Sequence, residues 1–198
     1  TLNNIGGAHI LLENKQLALD FFNQALTLSR KVGNRIEQAT ALNNIGFIHN
    51  SLGEKQIALE IFNQALPLLQ KIGNKSGEAT ILNNIGFIHD SFGNKQKALK
   101  FYNQALPLTR QVGDRIQQAK TLNNIGVVHS SLGNQQQALD FYSQALPLTR
   151  KVGDRIQQAK TLNNIGVVHS SLGNQQQALN FYNQALPLSR QVSDKSIQ

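Results

Sequence analysis

Histidine recurs in this chain at a fixed interval, as His9, His49, His89, His129 and His169, and a serine follows it at Ser130 and Ser170. Imidazole next to hydroxyl is the raw material of nucleophilic catalysis, and a set of imidazoles is the raw material of a zinc site. The spacing permits neither. Neighbours in sequence on a helix point in different directions, so His129 does not face Ser130. Histidines that occur once per 40 residues approach one another only across successive structural units, too far apart to share one metal. No catalytic residue, metal ligand or cofactor follows from them, and they read as packing residues. Asn74-Lys75-Ser76 has the form of a glycosylation acceptor but falls at an expected helix cap, so no role is assigned to it.

Asparagine is the other polar residue with a period. It comes in pairs, Asn3-Asn4, Asn43-Asn44, Asn83-Asn84, Asn123-Asn124 and Asn163-Asn164, each inside a phrase of the form Leu-Asn-Asn-Ile-Gly. A primary amide carries two donors and an acceptor, so a column of such groups can bind peptide backbone without requiring charge. Asparagine is a mediocre helix former, and paired repetition in mid-helix points to use rather than to filling of a solvated surface.

The elements that position these residues follow from the apolar spacing. In the clearest unit Asp114 with Gln117 forms a capping box that starts a first helix. Ile116, Ala119, Leu122, Ile125, Gly126, His129 and Leu132 then fall on one face at spacings of three and four. Gly133 stops that helix, and Asn134 with Gln137 is expected to cap a second one, which carries Ala138, Phe141, Tyr142, Ala145, Leu146, Leu148 and Val152. Small residues at Gly126, Ala138 and Ala145 suit a close crossing of two helices. Pro67, Pro107, Pro147 and Pro187 lie inside the second helices; because helical spacing continues beyond them, a kinked helix is expected rather than an early end. Thr27 takes this place in the first unit, whose second helix should be straighter.

Each unit is thus a helical hairpin, and one hairpin cannot cover its own apolar face, so stability must come from stacking on neighbours. The expectation is an all-α chain forming one solenoid over 1–198, with repeats at 1–40, 41–80, 81–120, 121–160 and 161–198. The absence of methionine, and a first residue already inside a repeat, suggest a segment of a longer array; Asp194 to Gln198 reads as the start of another helix. The first unit departs from the rest, with Gly7-Ala8 for a bulky pair and Glu13 where a stop glycine is expected. Residues 121–151 and 161–191 differ only at Asp140/Asn180, Ser143/Asn183, Thr149/Ser189 and Lys151/Gln191, which points to recent duplication.

Composition excludes other classes. No apolar run approaches the roughly 18 residues of a membrane span. There is no cysteine for a disulfide framework and no signal-peptide pattern, which makes a cytoplasmic location the default expectation. The net charge of +8 raises nucleic acid as a partner, but it is spread as +1, 0, +4, +2 and +1 over the five repeats. Arg110, Arg150 and Lys151 fall where cations complement helix C-termini, which argues against a nucleic-acid surface.

The order Leu122, Ile125-Gly126, His129, Gly133, Ala138, Tyr142 and Ala145 resembles the tetratricopeptide repeat pattern, in which a large residue, Leu-Gly, an aromatic, a small residue, an aromatic and Ala recur. The units here are 40 residues long, against the 34 of that family's standard unit, and the proline lies within the second helix rather than at its end. The longer form is similar to the repeats of kinesin light chain, of Pins-type adaptors and of bacterial multi-repeat proteins. The resemblance implies a right-handed α-solenoid without catalysis, whose first helices line a concave groove for an extended peptide or a partner helix. It also implies an amide ladder at Asn4, Asn44, Asn84, Asn124 and Asn164.

On a helical wheel with Leu122, Ile125, Gly126 and His129 buried, Lys120, Asn123, Asn124, Val127 and Ser131 turn the other way. Asn43, Asn83 and Asn163 take the register of Asn123. Phe47, Phe87, Val127 and Val167 share one register and serve either as pockets for a partner's side chains or as packing between repeats. Neighbouring registers vary: Asn50, Asp90, Ser130 and Ser170 at one, Thr40, Thr80, Lys120 and Lys160 at another. Lys120 and Lys160 would favour an acidic group on a protein or peptide partner. The competing expectation is a structural module that self-associates end to end through its outer repeats.

Overall fold

The structure, a computed structural model, describes the backbone of residues 1–195 and the side chains of residues 1–190. Among the described residues every regular element is an α-helix, and the chain divides into two compact units, Thr1–Phe92 and Gly93–Gln198.

The first unit contains α1 (Leu2–Leu11), α2 (Lys15–Lys31), α3 (Arg35–Ser51), α4 (Lys55–Ile72) and α5 (Lys75–Ser91). Each helix packs on the next, and α1 also touches α3. The second unit contains α6 (Lys95–Gln111), α7 (Arg115–Ser131), α8 (Gln135–Val152), α9 (Arg155–Ser171) and α10 (Gln175–Lys195) in the same succession, with α7 also against α9. The expected hairpins are present, with odd-numbered helices as first helices and even-numbered ones as second helices. Asp194 and Lys195 continue α10 instead of starting a new helix, and residues 196–198 lie outside the described residues. Ser193 stands there in place of the glycine that ends α4 and α8.

The Ile-Gly step of the recurring phrase is explained by the crossing of first and second helices. A Cβ on Gly126 would lie 2.5 Å from the Tyr142 ring, and one on Gly46 would lie 2.6 Å from Phe62. Only hydrogen fits at that register, and in return Tyr142 and Phe62 are each left 1% exposed. Burial of one such aromatic is worth about 1.5–3 kcal/mol.

Helix ends obey two different rules. Asn34, Asn74, Asp114 and Asp154 cap the first helices α3, α5, α7 and α9, each accepting a bond from the backbone N–H three residues on; Asp114 Oδ1 to Gln117 N is 2.9 Å. The second capping box expected at Asn134 and Gln137 does not form: Asn134, like Asn14 and Asn94, makes no side-chain cap bond. The two kinds of N-terminus differ in backbone torsion: Asp114 has ψ 87° and Asn134 has ψ 62°, although both follow a left-handed glycine, Gly113 and Gly133. The turn through Gly133 closes with Asn134 N donating to His129 O at 2.9 Å and Gly133 N to Ser130 O at 3.1 Å, the pattern that ends many helices. Glu13 holds the same left-handed place in the first unit, with φ 60°.

The helices α4, α6, α8 and α10 run through Pro67, Pro107, Pro147 and Pro187 without ending. All four prolines are exposed, so the carbonyl left unbonded four residues back can face water. Thr27, in the corresponding place, donates its hydroxyl to Asn23 O at 2.9 Å.

Candidate functional site

In the second unit, α7 is covered by α6, α8 and α9. Ala119, Leu122, Ile125, Gly126 and Val128 are buried as the apolar spacing requires, but so are Thr121 and Asn123. The expectation that both asparagines of a pair face outward therefore needs correction. Asn123 is 6% exposed and Asn83 5%, and Asn3 is also buried; Asn43 is half-buried, and Asn163, on the last first helix among the described residues, is exposed. A wheel drawn for one helix against one partner misses the third neighbour. The ends of the expected apolar face are corrected as well, since Ile116 and Leu132 are 45% and 38% exposed.

The second asparagine of each pair lies closer to solvent. Asn44, Asn84, Asn124 and Asn164 are half-buried and Asn4 is exposed. The two registers are joined from one repeat to the next: Asn164 Nδ2 donates to Asn123 Oδ1 at 3.2 Å. In the first unit Asn3 Nδ2 donates instead to the Glu37 carboxylate on the following first helix.

In each unit exposed apolar side chains stand one helical turn beyond second asparagines. Phe47, Phe87 and Val167 are 50%, 47% and 47% exposed, while Val127 is half-buried and packs against the core cluster of Ala138, Tyr142, Ile165 and Val168. The phenylalanines are thus outside the core. Lys120 and Lys160 are exposed on the same helices. In the second unit a cavity of about 690 Å³ brings together Asn123, Asn163, Asn164 and Lys160 over Ile156 and Leu186. In the first unit a smaller cavity of about 280 Å³ includes Asn43 together with Leu69 and Gly77, two residues not singled out from the sequence. Their signal lay in comparing repeats: at the registers of Leu69 and Gly77 the other repeats carry Ser29 and Glu37, Thr109 and Gln117, and Thr149 and Gln157.

The histidines are half-buried, and His9, His129 and His169 stack on Phe21, Phe141 and Phe181 with ring centroids 5.3 Å apart. His49, which faces Ile61 in the repeat pattern, pairs with Glu54 instead. Burial pushes the His129 imidazole below its usual range, opposed by a hydrogen bond with the Gln137 side chain. Among the described residues no group of three or more His, Asp or Glu side chains is placed to hold a metal ion, and no helix is long and apolar enough to cross a membrane.

The sequence matches the tetratricopeptide repeat family over residues 1–71, 37–111, 77–151 and 117–191. No curated protein matches it in sequence. Among solved structures, BtubC (BKLC) from P. vanneervenii is similar with a TM-score of 0.75, covering 93% of this chain and 82% of that one at 20% identity. A Rap protein complexed with competence and sporulation factor gives a TM-score of 0.84 over 98% of this chain at 18% identity. This chain spans about half of that protein, 54%. A putative kinesin light chain with nearly identical TPR-like repeats, from Podosopora anserina, gives 0.75 over 98% of this chain and 95% of that one at 11% identity. At these identities the likeness is one of fold.

Proposed function

Because the chain belongs to the tetratricopeptide repeat family, whose arrays are generally non-catalytic protein-binding scaffolds, we propose that it holds an extended peptide or partner helix along the exposed strips of its first helices. The observation that carries this reading is the pairing of half-exposed Phe47 and Phe87 with the amides of Asn44 and Asn84 on α3 and α5. Large apolar side chains left in water beside polar groups are what a partner's side chains and backbone would cover. Asn124 and Asn164 offer the same amides in the second unit, where Lys120 and Lys160 add positive charge and favour a partner with an acidic group there. A Rap protein of similar fold has been solved in complex with competence and sporulation factor, which supports the reading of a ligand-binding array.

The test starts from peptides selected out of a displayed random library against the whole chain. Substituting Asn84, Asn124 and Asn164 together by Ala is expected to abolish capture of the selected peptides while the helical circular dichroism signal stays intact. Unchanged affinity would refute the amide ladder.

A second reading, association of copies end to end, rests on apolar residues of the outer hairpins. Ile5 is 44% exposed while its equivalents Ile45, Ile85 and Ile125 are 4%, 0% and 0%; Leu186 is 48% exposed while Leu106 is 7%. Light scattering over a range of concentrations distinguishes the two, since a mass that stays monomeric removes the second.

A further inference from the structure

Gly77 is the third residue of α5, at a register where the following first helices carry a carboxamide side chain, Gln117 and Gln157, and where α3 carries Glu37. What a side chain does there is visible in the first hairpins, since Glu37 reaches the preceding first helix and accepts the bond from Asn3 Nδ2. One repeat later the partner is missing. Gly77 has no side chain to accept from Asn43 Nδ2, which is left with a 3.5 Å contact to the neighbouring Asn44 Oδ1; the buried Asn43 Oδ1 has no hydrogen-bond partner either, a feature it shares with Asn3 Oδ1 beside Glu37. A buried amide oxygen left in this state costs on the order of 1–3 kcal/mol, so it is a point where a ligand group gains by binding.

The space is there as well. A notch of about 280 Å³ lies between α3, α4 and α5, floored by buried Ala39, Leu69 and Ile81, with exposed Thr40, Asn74 and Ser76 toward solvent. Thr40 and Thr80, which line it, are registers that the sequence places beside the peptide-binding strip. Their hydroxyl protons are already spent, on Ile36 O at 3.0 Å and Ser76 O at 3.1 Å, so toward the notch both offer lone pairs. Asn74 uses its Oδ1 to cap Gly77 N at 2.9 Å, which leaves its Nδ2 as a donor. No charged side chain lines the notch.

We propose that this notch is a specificity pocket for a primary carboxamide, the Gln or Asn side chain of a bound peptide, which supplies the group that Gly77 omits. The proposal rests on the peptide-binding reading above and adds to it the identity of one anchor residue. A carboxamide presents two donors to acceptors such as Asn43 Oδ1 and the threonine oxygens, and an acceptor to a donor such as Asn74 Nδ2. It also satisfies Asn43 in either orientation of that amide. A carboxylate or an ammonium would enter without a counter-charge, and a purely apolar side chain would leave Asn43 unpaired.

The experiment compares the native chain with Leu69→Thr/Gly77→Gln. A single Gly77→Gln would set a Cβ 2.6 Å from Leu69 Cδ2, whereas the pair Thr and Gln is the one the chain already carries at Thr109 with Gln117 and at Thr149 with Gln157. Peptides selected from the displayed random library on the native chain are expected to share Gln or Asn at one position, and exchanging it for Leu should weaken binding about tenfold. Selection on the double variant should still yield peptides, without that shared residue. A native pool with no shared carboxamide, or the same preference in both pools, overturns the pocket and leaves the peptide-binding reading standing. If neither protein enriches peptides, that reading fails, and the pocket is judged by nuclear magnetic resonance titration with N-acetylglutamine methylamide. Shifts at the Gly77 amide and the Asn43 side chain in the native chain only support it, and their absence ends it.

Discussion

At the scale of single residues the structure separates positions that look alike in the sequence. Gly126 and Gly7 are both helical glycines beside the recurring asparagines, yet a Cβ at Gly126 would meet the buried Tyr142 ring and one at Gly7 would meet nothing within 4 Å. Gly126→Ala is therefore expected to destabilise the chain by about 1–3 kcal/mol through overpacking. Gly7→Ala should stabilise it by about 0.5–1 kcal/mol through helix propensity, and chemical denaturation midpoints check both. His129 gives a prediction in pH. Its folded-state pKa lies below the ordinary 6.5, so folding favours the neutral ring. The contribution is fully present above the unfolded value and is lost as pH falls through the lower folded value. Stability should decline on going from neutral to mildly acidic solution, and His129→Phe, which keeps a ring against Phe141, should flatten that decline in denaturation curves taken at a series of pH values.

At the scale of helices the two kinds of N-terminus make a paired prediction. Asp114→Ala removes a real cap bond from α7 and should cost about 1 kcal/mol, whereas Asn134→Ala removes none from α8 and should stay within about 0.5 kcal/mol, both read from denaturation midpoints. The period, the hairpins, the stop glycines and the first-helix caps were legible in the sequence, because spacing and turn chemistry act locally. The missing cap at Asn134 was not, since it depends on a ψ difference that the residue type does not encode. Burial of Asn123 was hidden for another reason: it comes from α9, a helix one repeat away. The notch at Gly77 needed both kinds of information, a substitution visible by aligning repeats and a neighbour, Asn43, that only folding brings near.

At the scale of the whole molecule, charge and apolar surface have different distributions. The net charge of +8 is carried largely by residues 81–160, while the large exposed aromatics Phe47 and Phe87 belong to the first unit, so a partner that meets both units meets two chemistries. The bond from Asn164 to Asn123 bears on what such binding would look like in a calorimeter. An incoming backbone amide that takes either group first displaces a hydrogen bond the protein already makes to itself, so the exchange of amides yields little net enthalpy. Desolvation of exposed apolar side chains beside the amides, such as Phe47 and Phe87, then dominates the temperature dependence of binding, and its signature is a negative heat-capacity change. Titration calorimetry of a selected peptide at several temperatures should accordingly show a binding enthalpy that becomes more favourable on warming while the dissociation constant hardly moves.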